Sequence, residues 1–343
     1  METSEQKFSF TGQGGEYFRI WIVNAILTVV TLGIYSAWAK VRRLQYFYRH
    51  TRLGDASFDY HGTPQAILKG RLIGFGLFAL YSVALKIAPL IGLFIGLVLA
   101  LVMPFLLVMS LRFRLHNSSY RGLRFAFTGS IKKGYFNFLL LPVLTVFTLY
   151  LLAPFTHQRI KAFQHNHSRF GTTNFSFNAS VGGFYKIYFV AFFIPLIALI
   201  AMIVMMVSAI VQGGEAEAQK GPPFMLILAM EGIFVLIYLV VVPYFFARIQ
   251  NIVWNNTQLG AHRFKSDVTA RGLWWIMFSN FIGIVLTLGL YMPYASIRLA
   301  RYRLEHMALM VDGSLQSFVA GVETNANATG EETAGMFDVD IGL

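Results

Sequence analysis

Cysteine is absent from the 343 residues, which excludes a disulfide framework, a thiolate metal site and a catalytic thiol. Charged residues make up only 13% of the chain, about half the ~25% of an ordinary soluble domain. Acids are scarcer than bases, 16 against 28, for a net charge of +12. Outside the tails the carboxylates are Asp55, Asp59, Glu215, Glu217, Glu231, Asp267, Glu305 and Asp312, too dispersed to suggest a paired-carboxylate centre. No GxSxG, HExxH, GxGxxG or phosphate-loop lysine occurs. No enzymatic activity, cofactor or metal centre is therefore expected. The acidic start (Glu2, Glu5, Glu16) and the long first apolar run give no sign of a cleavable leader.

What is abundant is apolar surface. The chain is 56% hydrophobic, with a mean hydropathy of +0.58. Several runs reach the ~20 residues that a membrane span needs. They lie at about 17–39, 66–87, 88–111, 135–156, 184–211, 223–248 and 272–297. Gly92 and Gly96 form a GxxxG spacing, a weak helix-packing signal. Of the 28 Lys and Arg, 24 fall in segments flanking these runs, at 40–71, 112–133, 157–186, 248–271 and 298–303. Basic loops beside spans follow the positive-inside rule and suit anionic lipid head groups. The lipid bilayer is therefore the expected partner, and nucleic acid is not.

The sequence repeats itself. The stretch Phe8–Gly62 recurs 117 residues on, at Phe125, Phe127, Thr128, Gly129, Thr148, Arg159, His167 and Phe175. A further 139 residues on, it recurs in part, at Phe264, Thr287, Gly289, Arg298 and His306. The intervening hairpins match too: Pro104 with Pro243, Asn117 with Asn256. A regular internal period decides architecture before any single residue does. The expectation is an all-α integral membrane protein of about seven helical segments in two full repeats and a partial third, with short FxFTG strands capping the bundle at the membrane surface. The divisions read as a polar N-terminal segment (1–16), repeat 1 (17–124), repeat 2 (125–263), a partial repeat 3 (264–320) and a disordered acidic tail (321–343).

Two arrangements fit. If all seven segments cross, the repeats are inverted, as in transporters. If segments one, four and seven dip in and return, every basic segment lies on one side and the acidic linker 213–220 on the other. The charge rule favours the second. Against it, a 23-residue dip reaches about half the hydrocarbon, and segment four lacks the Thr-Leu-Gly break of segments one and seven.

Six residues are candidates for transport or ligand binding. Glu231 is alone among acids deep in an apolar run, where insertion costs roughly 2.5–3.5 kcal/mol. It reads either as a functional group or as a protonated hydrogen-bonder. Arg42, Arg159 and Arg298 share a repeat position. They read as interfacial anchors, or as a ring of guanidinium groups for phosphate or carboxylate. Asn24 and Asn280 also coincide, as helix glue or as lining of a path. His50, His167 and His306 match in register and read as packing rather than metal ligands.

FTGxGGEYFxIWxVN (Phe10–Asn24), TLGIYSAWAKVR (Thr31–Arg42), YFYRHT (Tyr46–Thr51) and FDYHGTP (Phe58–Pro64) resemble the YjgN-like family of multi-pass bacterial inner-membrane proteins. The resemblance covers about residues 8–310. It implies a location in the bacterial cytoplasmic membrane and supplies no activity or site. The copies depart from the string at Pro154 and Pro293, which puts a common bend in question. The expected function is a transporter or channel for a small solute, ion or lipid. The alternative is a non-catalytic scaffold or assembly factor that binds anionic lipid or a protein partner.

Overall fold

The computed structural model describes residues 3–218, 224–313, 318–319 and 322. The tail expected to be disordered lies almost wholly outside them.

Ten strands form one closed antiparallel barrel. They are β1 (Thr3–Phe10), β2 (Thr51–Leu53), β3 (Ala56–Tyr60), β4 (Ser118–Tyr120), β5 (Leu123–Phe127), β6 (Ser168–Phe170), β7 (Thr173–Phe177), β8 (Thr257–Leu259), β9 (His262–Ser266) and β10 (Met307–Asp312). Each strand pairs with its chain neighbour, and β1 closes on β10. At one end, tight turns join β2–β3, β4–β5, β6–β7 and β8–β9. Arg121 and Gly122 take φ of 49° and 81°, the positive-φ pair that a two-residue hairpin needs to match strand twist.

At the other end, five helical hairpins connect the remaining strand pairs. They are α1 (Gly14–Val30) with α2 (Ser36–Arg49), and α3 (Pro64–Ile87) with α4 (Pro89–His116). The third has α5 (Ile131–Tyr135), a π-helical turn (Phe136–Leu140) and α6 (Leu141–Phe147), returning through α7 (Ala153–Asn166). The last two are α8 (Val181–Ala218) with α9 (Phe224–Asn255), and α10 (Ala270–Leu286) with α11 (Met292–Glu305). The first helix of each hairpin packs on the second helix of its predecessor, and α1 packs on α11. The helices thus form a ring above the barrel.

One expectation needs correction. The protein is not an all-α bundle of about seven helices with separate strand caps: the FxFTG strands are parts of a closed barrel. The error arose because β2, β4, β6 and β8 have three residues each, too few to show a period of two. Segments one, four and seven, for which a crossing and a returning form both fitted the sequence, are each a helix, a turn and the start of a second helix.

The three short hairpins turn alike. Leu32 and Gly33 (φ 50° and 92°), Leu149 and Tyr150 (49° and 66°), and Leu288 and Gly289 (50° and 94°) are all left-handed. Thr31, Thr148 and Thr287 each accept a hydrogen bond from the backbone N–H four residues on, at 2.9, 3.4 and 2.9 Å. Pro154 and Pro293 stand in the first turn of α7 and α11, where a missing N–H costs nothing. At the tips Leu32, Leu149 and Leu288 are 95%, 86% and 95% exposed, which suits hydrocarbon and not water. Among the described residues four helical stretches are long and apolar enough to cross a membrane: Pro64–Ile87, Pro89–His116, Val181–Ser208 and Ile237–Asn255.

The five units also share their helix-to-barrel joints. The backbone N–H groups of Thr11, His61, Thr128, Asn178 and Asp267 donate to the carbonyls of His50, Asn117, His167, Asn256 and His306 at 2.7–3.1 Å. The side chains of those five acceptors bond the carbonyl four residues back, at 2.8–3.0 Å. His50, His167 and His306 are thus helix C-terminal caps, with Asn in the same role in the other two units. At Gly12, Gly62 and Gly129 a Cβ would strike the ring two residues earlier (Phe10, Tyr60, Phe127). That close approach explains the glycine that follows each aromatic pair.

Candidate functional site

Strand alternation sends one face of the barrel inward. Glu5, Lys7, Ser9, Arg52, Ser57, Arg124, Asn174, Arg263 and Lys265 point out and are exposed. A polar outside and an apolar inside are the reverse of a membrane-spanning barrel, so this barrel is built to stand in water.

Inside, the first strand of every unit contributes one phenylalanine: Phe8, Phe58, Phe125, Phe175 and Phe264. Going round the barrel, neighbouring ring centroids are 6.1–6.5 Å apart and the planes meet at 15–35°. The five nearly parallel rings close into a circle, with spacings typical of favourable aromatic pairs. The register pairs them with Leu53, Tyr120, Phe170, Leu259 and Leu309. Ten side chains therefore form a single inward belt.

The belt lines a cavity of about 500 Å³, within the 300–1,000 Å³ range of small-molecule sites. At the turn end Phe318 lies 4.1 Å from the His262 ring and 6.3 Å from Phe170, and Val319 and Val322 are buried in the same cluster. At the helix end the lining turns polar, with Thr51, Gln250 and Arg303. Arg303 Nε donates to Gln250 Oε1 at 2.6 Å, and Gln250 Nε2 donates to the Arg303 carbonyl at 3.1 Å. Lys161 is close by: burial, with Arg114 and Arg303 in electrostatic reach, pushes its amine below the usual range.

A second cavity of about 1,110 Å³ lies toward the hairpin tips, between the first and last hairpins. Asn24, Thr28, Asn280, Lys40, Arg43 and Arg71 line it. Ser36, Lys40, Arg43 and Phe47 of α2 face this cavity, while Tyr48 and Thr51 beyond them face the barrel lumen. On α11, Met292, Ser296 and Leu299 face the one, and Ala300, Arg303 and Leu304 the other. Steps of three and four mark one helix face, so the two cavities follow one line.

The structure brings together some of the residues singled out from sequence. Asn24 and Asn280 share the larger cavity. Asn24 is 7% exposed, and its Oδ1 is buried without a hydrogen-bond partner. Asn280 Oδ1 accepts from Arg298 at 2.9 Å, and Arg298 also donates to Tyr291 Oη at 3.2 Å. Arg42 lies 5.8 Å from the Tyr35 ring and Arg159 5.0 Å from the Phe155 ring, both exposed. Each of these arginines meets an aromatic side chain of its own hairpin, and no contact among the described residues joins the three. Glu231 is exposed on α9. Among the described residues no group of three or more His, Asp or Glu is placed to hold a metal ion. Sequence reasoning missed the lumen belt and Arg303. The recurring Phe at Phe8, Phe58, Phe125, Phe175 and Phe264 was the available signal.

Fold and site together define a membrane protein in which a water-facing, aromatic-lined barrel carries a ring of helical hairpins. Over residues 5–336 the sequence matches the model of a family described as bacterial protein of unknown function (DUF898), and the chain belongs to that family. A protein of Salmonella typhimurium LT2 named inner membrane protein YjgN is 27% identical over 90% of this chain and 89% of its own length. Proteins of the same name from Escherichia coli O157:H7 and K12 are 32% and 31% identical, over 42% of this chain and 36% of theirs. These names and the four apolar helices fit a bacterial inner-membrane protein. No solved structure matches the chain.

Proposed function

We propose that the protein is a conduit of the transporter or channel class. In this reading α3, α4, α8 and α9 pass through the inner membrane, and the three short hairpins dip into it from the barrel side. The five units are internal repeats of one strand–hairpin–strand plan. The barrel stands on the cytoplasmic face, because the basic segments gather at its helix end and basic segments resist export. The observation that carries the reading is the single face of α2 and α11 that lines both cavities. That continuity supports a path from the hairpin tips into the barrel lumen, closed at the far end by Phe318.

Flux in reconstituted vesicles tests it. A fluorescent anionic lipid analogue and a soluble anionic dye are the probes, and protein-free vesicles are the blank. Protein-dependent movement of either probe is expected, and Phe318→Ala should raise it severalfold by opening the closed end. Rates equal to the blank for both probes would leave the scaffold reading, which the exposed Lys7, Arg52, Arg263 and Lys265 on the barrel exterior support as a docking face for anionic partners.

A further inference from the structure

We infer that the barrel lumen binds a single-chain acidic amphiphile, its carboxylate or phosphate head on Arg303 and its chain among the five phenylalanines. The inference deepens the conduit reading and rests on it for the location of the path.

The lumen has two chemistries at its two ends. Between the closed turn end and the helix end the wall is aromatic and aliphatic, and a volume of about 500 Å³ suits one flexible chain better than a two-chain lipid. At the helix end the polar groups lining the lumen are those of Arg303, Gln250, Thr51 and Tyr48, and Arg303 alone among them carries a charge. Gln250 accepts one bond from the guanidinium and donates another to the Arg303 backbone carbonyl; being neutral, it leaves the charge without a counter-ion. Arg303 is exposed and lines the lumen, so an incoming anion can reach its guanidinium.

The surroundings sharpen the point. Arg114 and Arg303 lie within electrostatic reach of Lys161, and Arg71 and Arg114 within reach of Lys40. Among the described residues no carboxylate pairs with any of these five. Like charges gathered without an acid repel one another, and an incoming anion relieves that repulsion. Arg suits the task because its planar fork accepts carboxylate or phosphate by two bonds. In the neighbouring cavity the cations Lys40 and Arg43 offer an approach from the membrane side. A chain that enters head-last would leave the bilayer for a lumen equally apolar and shielded from water by the barrel wall.

The test uses the full-length protein in nanodiscs of zwitterionic lipid, read through Trp254, which lines the lumen. The titrants are dodecanoate and dodecyl phosphate brominated at the chain end. The comparison probes are the equally brominated alcohol and trimethylammonium compound, and inorganic phosphate. Saturable quenching by either acid is expected, and Trp254→Phe should remove it. Arg303→Gln should weaken binding of the acids by about tenfold to a hundredfold, as expected for loss of a charge-assisted hydrogen bond, and leave the alcohol unchanged. Arg303→Lys should recover part of the loss, which separates charge from folding. Equal binding of the alcohol or the cation overturns the head-group assignment, and displacement of the acids by inorganic phosphate at the same concentration overturns the role of the chain. Quenching that persists in Trp254→Phe overturns the location. Flux without acid binding would remove this ligand and keep the conduit; acid binding without flux would do the reverse.

Discussion

His165 stands where α7 meets the barrel, its Nδ1 3.1 Å from Thr257 Oγ1 and its ring beside Phe177 and Trp254. Burial, and then the charge of Lys161, pull its pKa from 6.5 to about 4. The unfolded chain therefore takes up this proton first. The neutral imidazole contributes its full stabilisation above pH 6.5, and the contribution is lost as pH falls from 6.5 towards 4, by on the order of 3 kcal/mol at the acid end. Thermal melts between pH 7.5 and 4.5 should show a steep acid-side fall, and His165→Asn should make it shallower; an unchanged slope would contradict the assignment. At this scale the sequence was partly readable. Asn24 and Asn280 coincide in the repeat and share a cavity. Arg42, Arg159 and Arg298 coincide as well, but aromatic residues four or seven positions earlier on the same hairpin engage each guanidinium. Arg303 escaped notice because nothing in a basic segment shows which cation faces a lumen.

At the scale of elements, the short hairpins depend on two left-handed residues at each tip. Gly33 and Gly289 adopt that conformation freely, whereas Tyr150 holds φ 66°, at a cost of roughly 1–2 kcal/mol for an L residue with a side chain. Tyr150→Gly should accordingly raise the melting temperature. Gly33→Val, at φ 92°, should lower it by at least an equal amount. The opposite signs would show that the tips are held by some other contact. The Thr-Leu-Gly string was readable as a turn in two of the three hairpins. The third was not, because Leu149-Tyr150 adopts the same backbone without the glycine that marks it. The barrel was hidden for a related reason. TRL, SSY, SRF and TQL are strands only because their partners lie beside them, up to 84 residues away in the chain for β7 and β8, Phe175 pairing with Leu259.

For the whole molecule, the barrel ties the ends of all five hairpins to one place, so every helical excursion begins and ends on the same side. The clustering of basic residues beside the apolar runs carried that information in the sequence; the closure of β1 on β10 did not, since no local pattern announces it. One labelling experiment tests the one-sided arrangement directly. The chain has no cysteine, so single cysteines at Asp55, Thr172 and Ala261, in three tight turns of the barrel, and at Glu217 near the C-terminal end of α8 report without background. With an impermeant thiol reagent on intact inner-membrane spheroplasts, the three barrel sites should stay unlabelled until the membrane is permeabilised, and the Glu217 site should label at once. Labelling of Thr172 or Ala261 in intact cells while Asp55 stays protected would place the barrel turns on opposite sides, and a single closed barrel gathering all five hairpins would be ruled out.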